Sequence, residues 1–129
     1  MKEVMAIVRL NKVNNTKEAL ADAGFPAFTC RKVMGRGKKA FDPVIVDTIL
    51  KEGELPLSPI GEYVTESARL IPKRVFTIMV NDGDVTKVVD TIMDVNSTGN
   101  PGDGKIFVLP IIESIRIRDG QLQEDSESY

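Results

Sequence analysis

The residues best suited to chemistry lie in two short stretches of this 129-residue chain: a glycine-rich loop ending in lysine, and an alternating Ile-Arg-Ile-Arg near the C-terminus. In the first, Thr98-Gly99-Asn100-Pro101-Gly102-Asp103-Gly104-Lys105 leads directly into the apolar run Ile106-Phe107-Val108. Glycines let successive backbone N–H groups turn toward one anion, and a lysine at the end of the loop adds a mobile ammonium for the outer phosphates. Gly99 and Gly104-Lys105 also have the interval of a Walker A loop, but Ile106 stands where Ser or Thr would hold magnesium. The order is reversed as well. A Walker loop runs from strand to helix, whereas here a helical pattern precedes the loop and a strand follows. The second stretch is Ile115-Arg116-Ile117-Arg118. On a strand its arginines would project from one face about 7 Å apart while the isoleucines enter the core, a phosphate clamp beside the lysine loop.

The elements that must position these groups follow from periodicity. Val4, Ala6, Val8 and Leu10 alternate with Met5, Ile7 and Arg9, which predicts a first strand partly covered on both faces. A helix follows, capped by Asn14 or Asn15, with Ala19, Leu20 and Ala23 as its inner stripe and Gly24 closing it. A second strand runs over residues 27–34. The pattern then repeats: residues 75–80 form a strand, Asp82 or Asp84 a cap, and Val85, Val88, Val89, Ile92 and Met93 one helical face. Residues 106–109 and 111–118 close the repeat as strand, with a bend or edge at Pro110. Two such halves predict an α+β fold, a ferredoxin-like βαββαβ sandwich over residues 1–120 with helices on one face of the sheet.

Composition narrows the function. Cys30 is the sole cysteine and there is no histidine, which excludes an intrachain disulfide, a zinc finger, a Ser/His/Asp triad and a Cys/His dyad. Cys30 sits in an alternating apolar stretch and reads as a small hydrophobe. Lys and Arg number 17 against 19 Asp and Glu, but Asp119, Glu124, Asp125 and Glu127 cluster at the C-terminal end, so the body is slightly basic and residues 121–129 read as an acidic, flexible tail. With no Trp and few other aromatics, a nucleic-acid partner is not expected. The absence of a spanning apolar run and of a leader predicts a cytoplasmic protein without membrane insertion.

Between the halves, residues 36–72 lose periodicity, punctuated by Gly37, Pro43, Gly53, Pro56, Pro59, Gly61 and Pro72. An insertion of this length in a small domain is either a tolerated excursion or a partner-binding arm that orders on contact. Ile45, Val46, Ile49 and Leu50 would give such an arm a short amphipathic helix as its anchor.

Taken together, Thr98-Gly99, Gly102-Asp103-Gly104-Lys105-Ile106-Phe107-Val108 and Ile115-Arg116-Ile117-Arg118-Asp119-Gly120 resemble the signature ends of the PII nitrogen signal-transduction proteins. The resemblance extends to residues 2–9 as their first strand, 19–24 as their first helix, and 33–37 and 70–73 as the two ends of their T-loop. It implies a non-catalytic homotrimer that binds ATP or ADP in clefts between neighbours and senses 2-oxoglutarate beside the phosphates. Carried over by position, the nucleotide-binding residues would be Ile7, Gly35, Gly37, Lys38, Gly102, Asp103, Gly104, Lys105, Arg116 and Arg118, with Thr29 and Met79 near the adenine. Lys73 would meet the carboxylate of 2-oxoglutarate.

Two departures from the family pattern stand out. Lys39 occupies the place of a glutamine that in many relatives helps position magnesium and 2-oxoglutarate. An ammonium there repels a divalent ion, leaving open whether magnesium is used or the lysine takes its place. The T-loop is longer than usual, and Tyr63 does not fall at the tyrosine that some relatives have modified with a nucleotide, so control by uridylylation is not implied. With Arg36-Gly37-Lys38-Lys39 and residues 95–102, these features are most similar to the PII branch encoded with nitrogenase, in which two paralogues together switch off nitrogenase by direct contact. The expected function is thus a sensor whose T-loop contacts nitrogenase, in concert with a sister PII paralogue. The alternatives are a general PII regulator of an ammonium transporter or nitrogen-assimilation enzyme and, from another class, an NTPase using the 99–105 loop.

Overall fold

The computed structural model describes residues 1–37 and 70–123. Lys38, Lys39, the helix expected around Ile45–Leu50 and most of the acidic tail lie outside the described residues. The chain divides into two units, Met1–Val33 with Lys73–Tyr129, and Met34–Pro72. The first of these carries nearly all that follows.

Four strands form one sheet: β1 (Lys2–Arg9), β2 (Thr29–Gly35), β3 (Ile71–Val80) and β4 (Lys105–Pro110), in the order β2-β3-β1-β4. β1 pairs antiparallel with β3 from Lys2↔Val80 to Arg9↔Lys73, and with β4 from Lys2↔Pro110 to Ile7↔Lys105. Two helices complete the βαββαβ order, α1 (Val13–Asp22) after β1 and α2 (Val85–Asn96) after β3. This is the ferredoxin-like arrangement predicted from the alternation of strand and helix patterns.

Register explains the core. Val4, Ala6 and Val8 of β1 stand opposite Ile78, Phe76 and Arg74 of β3, so they share a face, and Val4, Ala6, Val8, Phe76, Ile78 and Val80 are all buried. Leu20 of α1 and Val88 and Ile92 of α2 close over them. Each such fully buried aliphatic or aromatic side chain stabilises the fold by about 1.5–3 kcal/mol. Phe28 adds a tilted ring contact on Phe76, with centroids 5.2 Å apart.

The helices depart from expectation at their starts. Asn14 and Asn15 lie inside the first turn of α1, which is entered through a 3₁₀ turn over Leu10–Lys12 and has no side-chain cap. Asp84 does occupy the N-cap of α2, again after a 3₁₀ turn (Asp82–Asp84) and without a cap bond. In both cases the 3₁₀ turn takes up orphan N–H groups that a capping side chain would otherwise serve. On α1, Leu20 is buried as expected, but Ala19 and Ala23 are only half-buried and Thr16 takes the remaining inner position. The Thr16 hydroxyl donates to the Lys12 carbonyl at 2.7 Å and accepts from Asn96 Nδ2 at 3.1 Å. Asn96 also reaches the Ile92 carbonyl at 2.8 Å, making a buried polar clasp between the two helices.

The largest correction concerns residues 111–118, which are not a strand. β4 ends at Pro110 because its partner β1 has run out: Pro110 already stands opposite Lys2, and Ile111 N–H reaches only the Met1 carbonyl at 3.2 Å. The chain instead turns back on itself in a hairpin with one bridge, Ile115↔Leu122, closed by Arg116 N–H on Gln121 O at 2.9 Å and Gln123 N–H on Ser114 O at 2.8 Å. Ile115 and Ile117 therefore do not enter the core. Ile117 is 100% exposed and Ile112 94%.

Candidate functional site

The loop between α2 and β4 is folded by Asp103. Its carboxylate accepts from Thr98 N–H at 2.8 Å, Gly99 N–H at 3.0 Å and the Thr98 hydroxyl. It also accepts from Arg9 Nη1 at 2.8 Å, while Arg9 Nη2 donates to the Pro101 carbonyl at 3.0 Å. The Thr98 hydroxyl above all, then the Thr98 and Gly99 backbone N–H groups and the Arg9 charge, pull the Asp103 carboxyl down to about 2. Of the expected nucleotide ligands, Asp103 thus has its acceptors committed within the loop, and its part is to shape the loop.

Gly104 is where the loop meets the sheet. Its φ is +111°, and a Cβ there would lie 1.8 Å from the Ile7 carbonyl oxygen, so only glycine permits this approach. Gly102, with φ +95°, lies against the Arg9 guanidinium. Beyond Gly104 the chain enters β4 and leaves Lys105 exposed, without a hydrogen bond or ion pair among the described residues. The ammonium expected for an outer phosphate thus stands at the end of a loop held by the Asp103 hydrogen bonds and the approach of Gly104 to β1.

The sheet gathers further cations beside it. Lys105 pairs across β1 with Ile7, and Arg9 pairs across β3 with Lys73, so Ile7, Arg9, Lys73 and Lys105 share the face opposite the helices, at one end of the sheet. Lys73 Nζ donates to the Gly102 carbonyl at 3.1 Å. Arg9 is the residue that sequence reading missed. Its signal was its parity with Ile7 in β1, which placed it on the site face two residues further along. On the helix side, an open groove of about 430 Å³ reaches Gly104 and Lys105 between α2 and β4, walled by Val89, Met93, Ile106 and Val108.

Met79 and Thr29 are not brought to this end. Met79 lies on the same face as Ile7 but pairs with Glu3, four positions back along β1, which is about 13 Å at the strand rise. Thr29 begins β2, the opposite edge of the sheet from β4. Two intervening strands put roughly 14 Å between those edges. Gly35 ends β2, and Gly37 lies two residues further on, both in the second unit of the chain.

Arg116 and Arg118 are held by the hairpin, not aligned on a strand, so the clamp of two parallel guanidinium groups 7 Å apart is absent. Arg116 Nε donates to Asp119 Oδ1 at 3.1 Å and Nη2 to Asp119 Oδ2 at 2.5 Å, while Asp119 Oδ1 also accepts from Gln121 N–H at 3.1 Å. These Arg116 hydrogen bonds, followed by that from Gln121, hold the Asp119 carboxyl below its ordinary range. Arg118, in the turn, makes no such pair among the described residues. The described residues thus carry basic side chains in two separate places, a loop held on the sheet and a locally folded arginine hairpin. No group of His, Cys, Asp or Glu among the described residues is arranged to hold a metal ion.

Comparison with known proteins agrees with this architecture. Residues 1–121 match the family model for nitrogen regulatory protein P-II. The chain is 47% identical over 96% of both chains to the nitrogen fixation nifHD region GlnB-like protein 2 of Methanothermococcus thermolithotrophicus. It is 45% identical to the protein of the same description from Methanothermobacter marburgensis, over 93% of this chain and 94% of that one. To that of Methanobacterium ivanovii it is 43% identical over 98% of both.

Proposed function

Because the chain belongs to the P-II nitrogen regulatory family, in its nifHD-region GlnB-like branch, and that family consists of signalling regulators, we propose that it is a nucleotide and 2-oxoglutarate sensor. ATP or ADP lies with its phosphates on the 99–105 loop and Lys105. The observation that carries this reading is the loop itself: Asp103, Arg9 and the contact of Gly104 with β1 hold it rigid in advance, and Lys105 is left exposed and uncommitted. Rigidity matters because ordering costs are then met by folding rather than by binding. The strand-bound exit of the loop and the missing Ser or Thr at Ile106 speak against the NTPase alternative.

Arg9 and Lys73, adjacent across β1 and β3, supply the charge for the dicarboxylate of 2-oxoglutarate beside those phosphates. The complete nucleotide site takes two chains. Thr29 on the β2 edge cannot reach Lys105 on the β4 edge of the same sheet, whereas the β2 edge of one subunit set against the β4 edge of the next brings them together. Such a heterologous contact closes into a ring, and three subunits match the family expectation. The apolar sheet face bearing Met5, Ile7, Phe107 and Leu109 supports burial between subunits, since Phe107 is 45% exposed in the single chain.

Occupancy of this site sets the conformation of the arm at residues 36–72, which contacts nitrogenase together with a sister PII chain. For that coupling, ligand must bind one arm conformation more tightly than another. Calorimetry with ATP tests the site: Lys105→Ala or Arg116→Ala weakens binding by on the order of 2 kcal/mol through loss of a charge-assisted contact. Unchanged affinity in both variants refutes it. Deleting residues 42–67 leaves ATP binding near wild type and removes inhibition of nitrogenase. Full inhibition by that variant would move the contact to the body of the protein.

A further inference from the structure

We propose that Asp119 is a positioning residue for the nucleotide phosphates, acting through Arg116. This rests on the reading of Arg116 as a phosphate ligand. The Asp119 carboxylate is itself anchored, because its Oδ1 accepts from Gln121 N–H at 3.1 Å in a hairpin tightened by Gly120 N–H on the Arg116 carbonyl at 2.7 Å. From that anchored position it takes the Nε and Nη2 edge of the guanidinium in a two-pronged fork, at 3.1 and 2.5 Å. A planar guanidinium gripped along one edge has its plane fixed, and the Nη1 edge stays available for an incoming oxyanion. Arg118, two residues away in the same turn, has no such partner and retains its rotamer freedom until a ligand arrives. The two arginines thus differ in kind: Arg116 is set in advance and Arg118 is recruited.

Sign is the discriminating feature. Removing a negative charge near bound phosphates tightens binding if Coulomb repulsion is all that Asp119 contributes. If Asp119 orients Arg116, the same substitution weakens binding, because the freed arginine must be ordered when ATP arrives. Asp119→Asn suits the test: its side-chain oxygen still accepts from Gln121 N–H, preserving the turn, while the charged fork is lost. By calorimetry with ATP, well below the unfolding midpoint, it weakens binding roughly three- to tenfold, the ordering cost of one long side chain, while the midpoint itself drops only slightly because the pair lies in one solvent-accessible turn. In an Arg116→Ala background the same substitution no longer weakens binding and leaves only the gain from relieved charge repulsion, whereas in an Arg118→Ala background the weakening persists. Should Asp119→Asn fail to fold, Asp119→Ser, whose hydroxyl can still accept from Gln121 N–H but cannot form the fork, makes the same test and loses affinity to a similar degree. Unchanged or tighter ATP binding by Asp119→Asn, with Arg116→Ala still weakening it, overturns the positioning role and leaves the nucleotide site standing. Indifference to Arg116→Ala overturns the positioning role by removing Arg116 from the phosphate ligands, and the nucleotide site itself falls only if Lys105→Ala is silent as well.

Discussion

The loop over residues 98–104 and the hairpin over residues 114–123 each contain an aspartate paired with an arginine, yet the pairs are built on different scales. In the loop, Asp103 meets an arginine 94 residues away in sequence, and the loop is seated on the β1 backbone at Gly104. In the hairpin, Asp119 meets an arginine three residues away, and Ile115, Ile117 and Leu122 all face outward. The loop's conformation belongs to the sheet. That of the hairpin belongs to a single local turn whose apolar side chains are exposed in the single chain.

The largest expected effect probes the seating of the loop. Gly104→Ala forces a Cβ into the Ile7 carbonyl at a positive φ and should cost on the order of 3 kcal/mol or more of unfolding free energy, read from denaturant midpoints. A midpoint close to wild type would mean that the loop can lift from β1, and the contrast with the hairpin would dissolve.

A second expectation concerns acid. Because the carboxyl of Asp103 is lowered to about 2 from an ordinary 3.8, its contribution to stability is complete above pH 4 and is lost as the pH falls from about 4 through about 2. Asp119 is lowered as well and acts in the same direction. Urea midpoints measured between pH 5 and pH 2 should fall less steeply in Asp103→Asn than in the wild type. Parallel curves would show that the carboxylate does not secure the loop.

The smallest effect on folding is expected from the hairpin. Ile117→Ser, at a fully exposed site, should change the stability of the single chain by no more than about 0.5 kcal/mol while weakening association measured by light scattering. A large loss of chain stability would place Ile117 in a core of its own subunit after all.

These contrasts also separate what was legible in the sequence from what was not. The βαββαβ order, the inward parity of Val4, Ala6 and Val8, and the buried positions Val88 and Ile92 of α2 all follow from residue periodicity. So does the identification of the glycine-lysine loop, since a positive-φ backbone and a terminal ammonium are properties of residue type. Alternation was misleading at Ile115-Arg116-Ile117-Arg118, because a strand also needs a neighbour, and β1 is exhausted at Lys2. Met93 carries the apolar signal of a core residue but is half exposed, since it stands at the rim of the groove beside the edge strand β4.

By itself, the sequence determined which faces are apolar, where the backbone must turn and which cations are in supply, because these depend on side chains a few residues apart. Only the tertiary structure decided that Arg9 joins Asp103, that Thr16 clasps Asn96, and that β2 and β4 form the two opposite edges of the sheet. Those outcomes depend on strand order and register, through which distant segments compete for the same hydrogen-bond partners and the same covered surface.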